Sequence, residues 1–261
     1  MDTAAARAAT FRFWLLYTPV WGLVAGAVMV TGLAERWGDP ELLALAVGLA
    51  VPAVVGPIVR SPQRALPWHR RTATRLAAAV AAFALLMNWS QTPFFFDVLH
   101  MRYGFRVTWT LQDNPLFLYL LTIPYFATYC ALGCLAVEAL GARTAGWGRV
   151  ARVVAVAPVA PALAFLETAM NANPFMERLF CYDDAGFALG FGTVVYGGTI
   201  AVNLAVWSRI DARGPTPWRT LALWVAAGMY VIVLWLDVAR FGVAPHLTAV
   251  GRDATPSCLA P

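Results

Sequence analysis

The sequence predicts an all-α, polytopic integral-membrane bundle of about seven transmembrane helices with a cytoplasmic N-terminus. Three observations predict it. Of 261 residues, 60% are hydrophobic and 13% charged, whereas a soluble domain carries about 25% charged residues. With a mean hydropathy of +0.64, the chain is too apolar to bury its excess in one soluble core. Apolar runs of spanning length recur along the chain, and arginine is distributed unevenly between alternate loops.

The spans are expected at residues 13–33, 41–59, 76–96, 116–139, 150–170, 185–207 and 221–243. Arg7 and Arg12 precede the first, but that run is too long for a signal-peptide core and no small-residue cleavage site follows, so it reads as uncleaved. The second contains Pro52, Pro57, Gly48 and Gly56, which a bundle tolerates where neighbouring helices re-satisfy the backbone. No linker or repeat is evident, and residues 1–261 read as one membrane domain. The side holding the N-terminus and the even loops carries thirteen arginines and the other side six. That asymmetry orients the N-terminus inward and accounts for the net charge of +5 without nucleic acid.

All 19 basic residues are Arg, so Schiff-base pigments and lysine-dependent phosphate loops are excluded. The three histidines, His69, His100 and His246, are too scattered for the His boxes of membrane di-iron enzymes. Gly190-Phe191-Gly192 lacks the third glycine of a dinucleotide fingerprint, Val195 standing there. No metal and no cofactor is expected.

Ionisable and polar side chains at membrane depth carry the functional signal. Glu167 lies near the end of the fifth span with Asn171 at i+4 on the same face and Pro174 beyond. A carboxyl in an apolar pocket can stay protonated near neutrality and act as an acid. The other reading is a helix-end Glu reaching the interface. Asp237 and Arg240, spaced i, i+3 in the last span, read as an internal ion pair ahead of direct chemistry. Asn88, Gln91 and Thr92 share one face at the end of the third span and either bond across helices or face a cavity. The Asn88-Trp89-Ser90 triplet scans as a glycosylation acceptor, a reading its membrane position disfavours. Seven spans bring these clusters to the same, non-cytoplasmic end, among Trp14, Tyr17, Trp21, Trp89, Phe94 to Phe96, Tyr103 and Trp235. Most of these aromatics read as interfacial belt; a few could face a cavity and stabilise a cation. Cys130 and Cys134 read as packing residues, and Cys181 and Cys258 could pair on an oxidising side.

Short motifs then recur in order. Phe13-Trp14-Leu15-Leu16-Tyr17-Thr18-Pro19-Val20-Trp21 resembles the Leu-Leu-Tyr-Thr-Pro-Phe-Trp opening of the cycloeucalenol cycloisomerases, plant enzymes that open the cyclopropane ring of a sterol. Asn88 through Phe96, Val98-Leu99 and Tyr103-Gly104-Phe105 are similar to that family's aromatic block. Leu166-Glu167-Thr168 with Ala172-Asn173, Tyr196, Arg209-Ile210-Asp211, Leu236-Asp237 with Arg240-Phe241, and Cys258 follow in the same order. The chain departs from the family at Thr92-Pro93-Phe94-Phe95-Phe96, where the plant enzymes carry a His, and it has no His between Leu116 and Ala139.

The resemblance implies a membrane-bound, cofactor-independent isomerase that converts a 9β,19-cyclopropyl sterol to an 8-ene, as cycloeucalenol to obtusifoliol. For that chemistry Glu167 is expected as proton donor or as the carboxylate facing the cationic centre, and Asp237 as second acid–base group, held ionised by Arg240, with either carboxyl able to give or take the proton. Asn88 and Asn171 would position the carboxyl, and Trp89, Phe95 and Tyr17 would face the developing charge. Gln91 and Tyr103 complete the expected sterol-binding set. The partners are then a sterol in the bilayer and membrane lipid. The rivals are a non-catalytic sterol binder or carrier and a small-solute transporter; no inverted repeat favours the latter. The Ala-rich, Lys-free composition points to a GC-rich bacterial genome and an inner-membrane location, the endoplasmic reticulum being the eukaryotic counterpart.

Overall fold

The structure, a computed structural model, describes residues 2–143 and 150–251. It is an all-α polytopic bundle in which seven helical segments are long and apolar enough to cross a membrane. Among the described residues they are α1 (Thr3–Val30), α3 (Asp39–Val59), α4 (Thr72–Asp97), α5 (Leu116–Arg143), α6 (Val150–Asn171), the run Ala185–Trp207 that ends in α8 (Thr193–Trp207), and the run Trp218–His246 that begins with α9 (Trp218–Asp237). A one-turn α2 (Leu33–Arg36) follows α1, and α7 (Ala185–Phe187) leads through a π-turn, Ala188–Gly192, into α8. A second π-turn, Val238–Val243, prolongs α9.

Helix α1 begins at Thr3, well before residue 13, because Asp2 caps it: its carboxylate accepts from the Ala4 amide at 2.8 Å. The alanine-rich stretch that follows is strongly helix-favouring. The helix stops at Val30 because Gly32 takes a left-handed conformation, φ 72°. Helix α5 is the hub, packed against α1, α3, α4, α6 and α8. Helix α9 lies outside, against α4 and α8. Its exposed Leu223, Tyr230, Val231 and Leu234 form the apolar face that lipid solvates in a spanning helix.

Two ion pairs, the first half-exposed at its acid and the second buried, hold the end of the bundle where the chain starts. Arg7 on α1 meets Glu138 on α5 at 2.9 Å and donates to the carbonyls of Trp207 and Ile210. Arg75 on α4 meets Asp211, in the loop after α8, at 2.6 Å. At the other end lie two small ribbons, one joining two loops across the bundle and one a local hairpin. β1 (Arg102–Tyr103) pairs antiparallel with β4 (Phe180–Cys181), Tyr103 opposite Phe180. β2 (Thr110–Leu111) pairs with β3 (Asn114–Pro115) through Gln112 and Asp113, at φ 55° and 61°. Positive φ at both central residues is what a tight hairpin turn of this hand requires.

Cys181 is disulfide-bonded; Cys258, its expected partner, lies outside the described residues. Cys130 and Cys134 are free and buried.

Candidate active site

Helices α6 and α8 approach closely because their facing residues are small. Ala160 and Ala164 are buried on α6, and a Cβ added at Gly197 of α8 would stand 3.0 Å from Cα of Pro161 on α6. One residue before that glycine, Tyr196 points at α6 and donates its phenolic proton to Oε2 of Glu167. Tyr129 on α5 directs a second phenol at the same carboxyl; among the described residues its buried hydroxyl makes no hydrogen bond of ordinary geometry. The carboxyl therefore stands between two phenols, one bonded to it and one facing it.

Glu167 opens onto a hollow of about 90 Å³, open on one side and below the ordinary range of small-molecule sites. Helix α4 contributes Asn88, Gln91, Thr92 and Phe95; α5 contributes Leu118, Leu121, Thr122, Tyr125 and Phe126; α6 contributes Glu167 and Asn171; and α8 contributes Tyr196. Met101, Tyr103, Phe180 and Tyr182 of the tied loops close the outer side. Phe95 lies 6.2 Å from Tyr196, ring to ring, and Tyr103 contacts Phe180 and Phe96, both at 5.7 Å. Burial pushes the phenols of Tyr103 and Tyr182 well above their ordinary pKa, so both remain neutral donors.

Opposite Glu167 the wall is polar but uncharged. Asn114 on β3 donates to Oδ1 of Asn88 and to Oγ1 of Thr92, both at 3.1 Å, while its own side-chain oxygen is buried without a partner among the described residues. Gln91 donates to Thr199 Oγ1 at 3.0 Å. The α4 polar face thus does both things its spacing allowed, bonding across helices and lining a cavity.

Of the expected site residues, Glu167, Asn88, Gln91, Phe95, Tyr103 and Asn171 line this hollow, and four do not. Asp237 is exposed, and its expected ion pair with Arg240 is replaced by one between Arg240 and Asp97 at the end of α4. The cause is the π-turn after Asp237: its wider winding takes residue 240 off the face that i, i+3 spacing shares in an α-helix. Trp89 is 46% exposed, since the residue after Asn88 points about 100° away around the helix. Tyr17 donates to the Leu49 carbonyl at 3.0 Å and joins α1 to α3.

Sequence reasoning missed Tyr125, Tyr129, Tyr182 and Asn114, and gave Tyr196 no role of its own. The available signal was Thr122, Tyr125 and Tyr129 on α5, a stripe of hydroxyl-bearing residues at i, i+3, i+7. Among the described residues no group of three or more His, Cys, Asp or Glu side chains is placed to hold a metal ion. The arrangement can deliver a proton from one carboxyl into an enclosed, aromatic-lined space and stabilise the carboxylate left behind. No protein-family model, curated protein or solved structure matches the chain.

Proposed function

We propose that this membrane protein is a cofactor-independent isomerase that opens the 9β,19-cyclopropane ring of a cycloeucalenol- or cycloartenol-type sterol to an 8-ene. The observation that carries the reading is the position of Glu167, the one carboxyl among the described residues lining a hollow of aromatic, aliphatic and uncharged polar side chains, with a phenol donating to it.

The chemistry fits one carboxyl. The C9–C19 bond takes the proton of Glu167 at C19, its electron pair forming the new C–H bond, and C9 becomes cationic. Loss of the proton on C8 returns an electron pair to form the C8–C9 double bond, so the product is an isomer. C8 and C19 are both bonded to C9, so the two oxygens of a single carboxylate can serve both steps. Tyr196 stabilises the carboxylate between them. Phe95 and the surrounding rings face the cation and keep water from capturing it. Asp237, exposed and outside the hollow, has no part in this scheme.

The site lies at the end of the bundle that the arginine distribution assigns to the non-cytoplasmic side. The disulfide at Cys181, beside the loops that close the hollow, fits an oxidising compartment. The membrane is a bacterial inner membrane, or the endoplasmic reticulum in a eukaryote.

The test is incubation of the purified full chain in lipid nanodiscs with cycloartenol in D₂O, followed by mass-spectrometric chromatography. The expected product is the 8-ene carrying one deuterium in the C19 methyl group. Recovery of unchanged sterol from protein that retains it would replace the isomerase with a sterol carrier.

A further inference from the structure

At the end of the bundle opposite Glu167, the loop from Ser208 to Pro217 borders a second, open hollow of about 620 Å³. Arg209 and Arg213 stand on its rim, Thr216 and Thr220 beneath them, and Trp224 farther down α9. Trp224 follows the first residue of α9 by six positions, about 9 Å along the axis at helical rise. The hollow therefore runs from two guanidinium groups at the helix ends to an indole at the depth where acyl chains begin.

The loop is rigidly built. Asp211 sits at φ 54°, its amide donates to Thr216 Oγ1 at 2.9 Å, and the Thr216 amide donates to Asp211 Oδ1 at 2.8 Å. Arg75 grips the same carboxylate from α4, with both side chains at most 5% exposed. The acid nearest to the two rim arginines is thus committed to a buried pair. Arg209 spends one donor on the Ala205 carbonyl, and Arg213 makes no ion pair among the described residues. The result is a preformed surface with two exposed guanidinium groups above an apolar slot.

We infer that this hollow binds an anionic phospholipid, its phosphate between Arg209 and Arg213 and its glycerol and acyl portion against Trp224 and Pro217. Phosphate matches paired guanidinium groups, and basic pockets at helix ends select anionic headgroups. A free phosphate shares the polar half of this chemistry but leaves the indole without a partner.

The test uses the full chain released from nanodiscs of equal phosphatidylglycerol and phosphatidylcholine, with retained lipid read by native mass spectrometry. Wild-type protein keeps phosphatidylglycerol preferentially. In R209Q/R213Q the preference falls by about thirtyfold, a factor of about five for each arginine near an anionic surface. R64Q/R70Q, which removes two exposed arginines from another loop at the same end, keeps it. The single variant R213Q, whose side chain contributes no hydrogen bond to the fold, falls by about fivefold, so a folding defect in the double variant leaves the test intact. Equal loss in R64Q/R70Q, or unchanged retention in R209Q/R213Q, overturns the site. Displacement of the lipid by millimolar inorganic phosphate, with W224A behaving as wild type, overturns the lipid in favour of a soluble anion.

Discussion

Tyr196 donates its phenolic proton to Glu167 Oε2 beside the close approach of α8 to α6 at Gly197 and Pro161. The donor comes from the helix that packs against the acid, so the geometry of the proton-transfer group and the packing of the two helices are one feature. A phenol in this position does little for a neutral acid and more for the carboxylate that forms when the proton leaves.

Kinetics should separate those two contributions. Glu167→Gln removes the proton and abolishes turnover of a cyclopropyl sterol while the protein stays folded. Tyr196→Phe keeps the proton but loses the stabilising donor, and kcat falls by about 10²- to 10³-fold with KM little changed. Product formation by mass-spectrometric chromatography reads both. A wild-type rate in the phenylalanine variant would remove the phenol from the mechanism, and one in the glutamine variant would remove Glu167.

The two acids near the C-terminal ends of α4 and α9 should behave in opposite ways. The Asp97 side chain is 3% exposed and faces Arg240, which is 27% exposed. Arg240→Met takes that cation away from a buried carboxylate and should cost about 3 kcal/mol, the lower end for a buried pair because Arg240 reaches solvent. Asp237→Asn should change stability by less than about 0.5 kcal/mol. Thermal unfolding in one detergent compares them. Similar losses in both variants would restore Asp237 to a structural role.

Most of the bundle was legible in the sequence because length and apolarity suffice to mark a span, and Glu167, Asn88 and Asn171 stood out as polar residues at membrane depth. Three kinds of feature were hidden. The ribbons have strands of two residues, below any periodicity, and the one between β1 and β4 forms because Tyr103 and Phe180 meet from loops far apart in the chain. Tyr125 and Tyr129 have the hydropathy of core residues, and only the position of Glu167 on another helix gives their hydroxyls a purpose. Asp237 and Arg240 matched a local rule that assumes α-helical winding, while the actual partner, Asp97, lies 143 positions from Arg240.

Acid sensitivity should trace to Asp211. Burial alone would raise its carboxyl, but hydrogen bonds from Arg75 and the Thr216 amide outweigh burial and hold it below the ordinary value. A folded pKa below the unfolded one adds stability that is complete above the unfolded value of about 3.9. It is lost as pH falls through the lower folded value. Stability from this pair should therefore be flat from pH 7 to about pH 4 and decline below. Asp211→Asn should cost about 3 to 5 kcal/mol at neutral pH and flatten the acid decline. Unfolding midpoints between pH 7 and pH 3 measure both, and an unchanged acid limb in the variant would assign it to other carboxylates.

Gly197 offers the sharpest link between packing and chemistry. Alanine is intrinsically better in a helix than glycine by about 1 kcal/mol, and at Gly26 of α1, where an added Cβ meets nothing within 4 Å, that gain should appear as higher stability. At Gly197 the same Cβ would meet the backbone of Pro161, with Cα at 3.0 Å and N at 3.3 Å. A backbone cannot swing aside as a side-chain end can, so α6 must move away. Overpacking of this kind costs about 1 to 3 kcal/mol and outweighs the propensity gain. Because Glu167 and Tyr196 sit on the two helices being parted, activity in Gly197→Ala should fall further than the stability loss alone explains. Gly26→Ala should keep its wild-type rate. Measuring unfolding and turnover on the same two preparations decides the matter: equal turnover per folded molecule in both variants would detach the α6–α8 contact from the proposed chemistry.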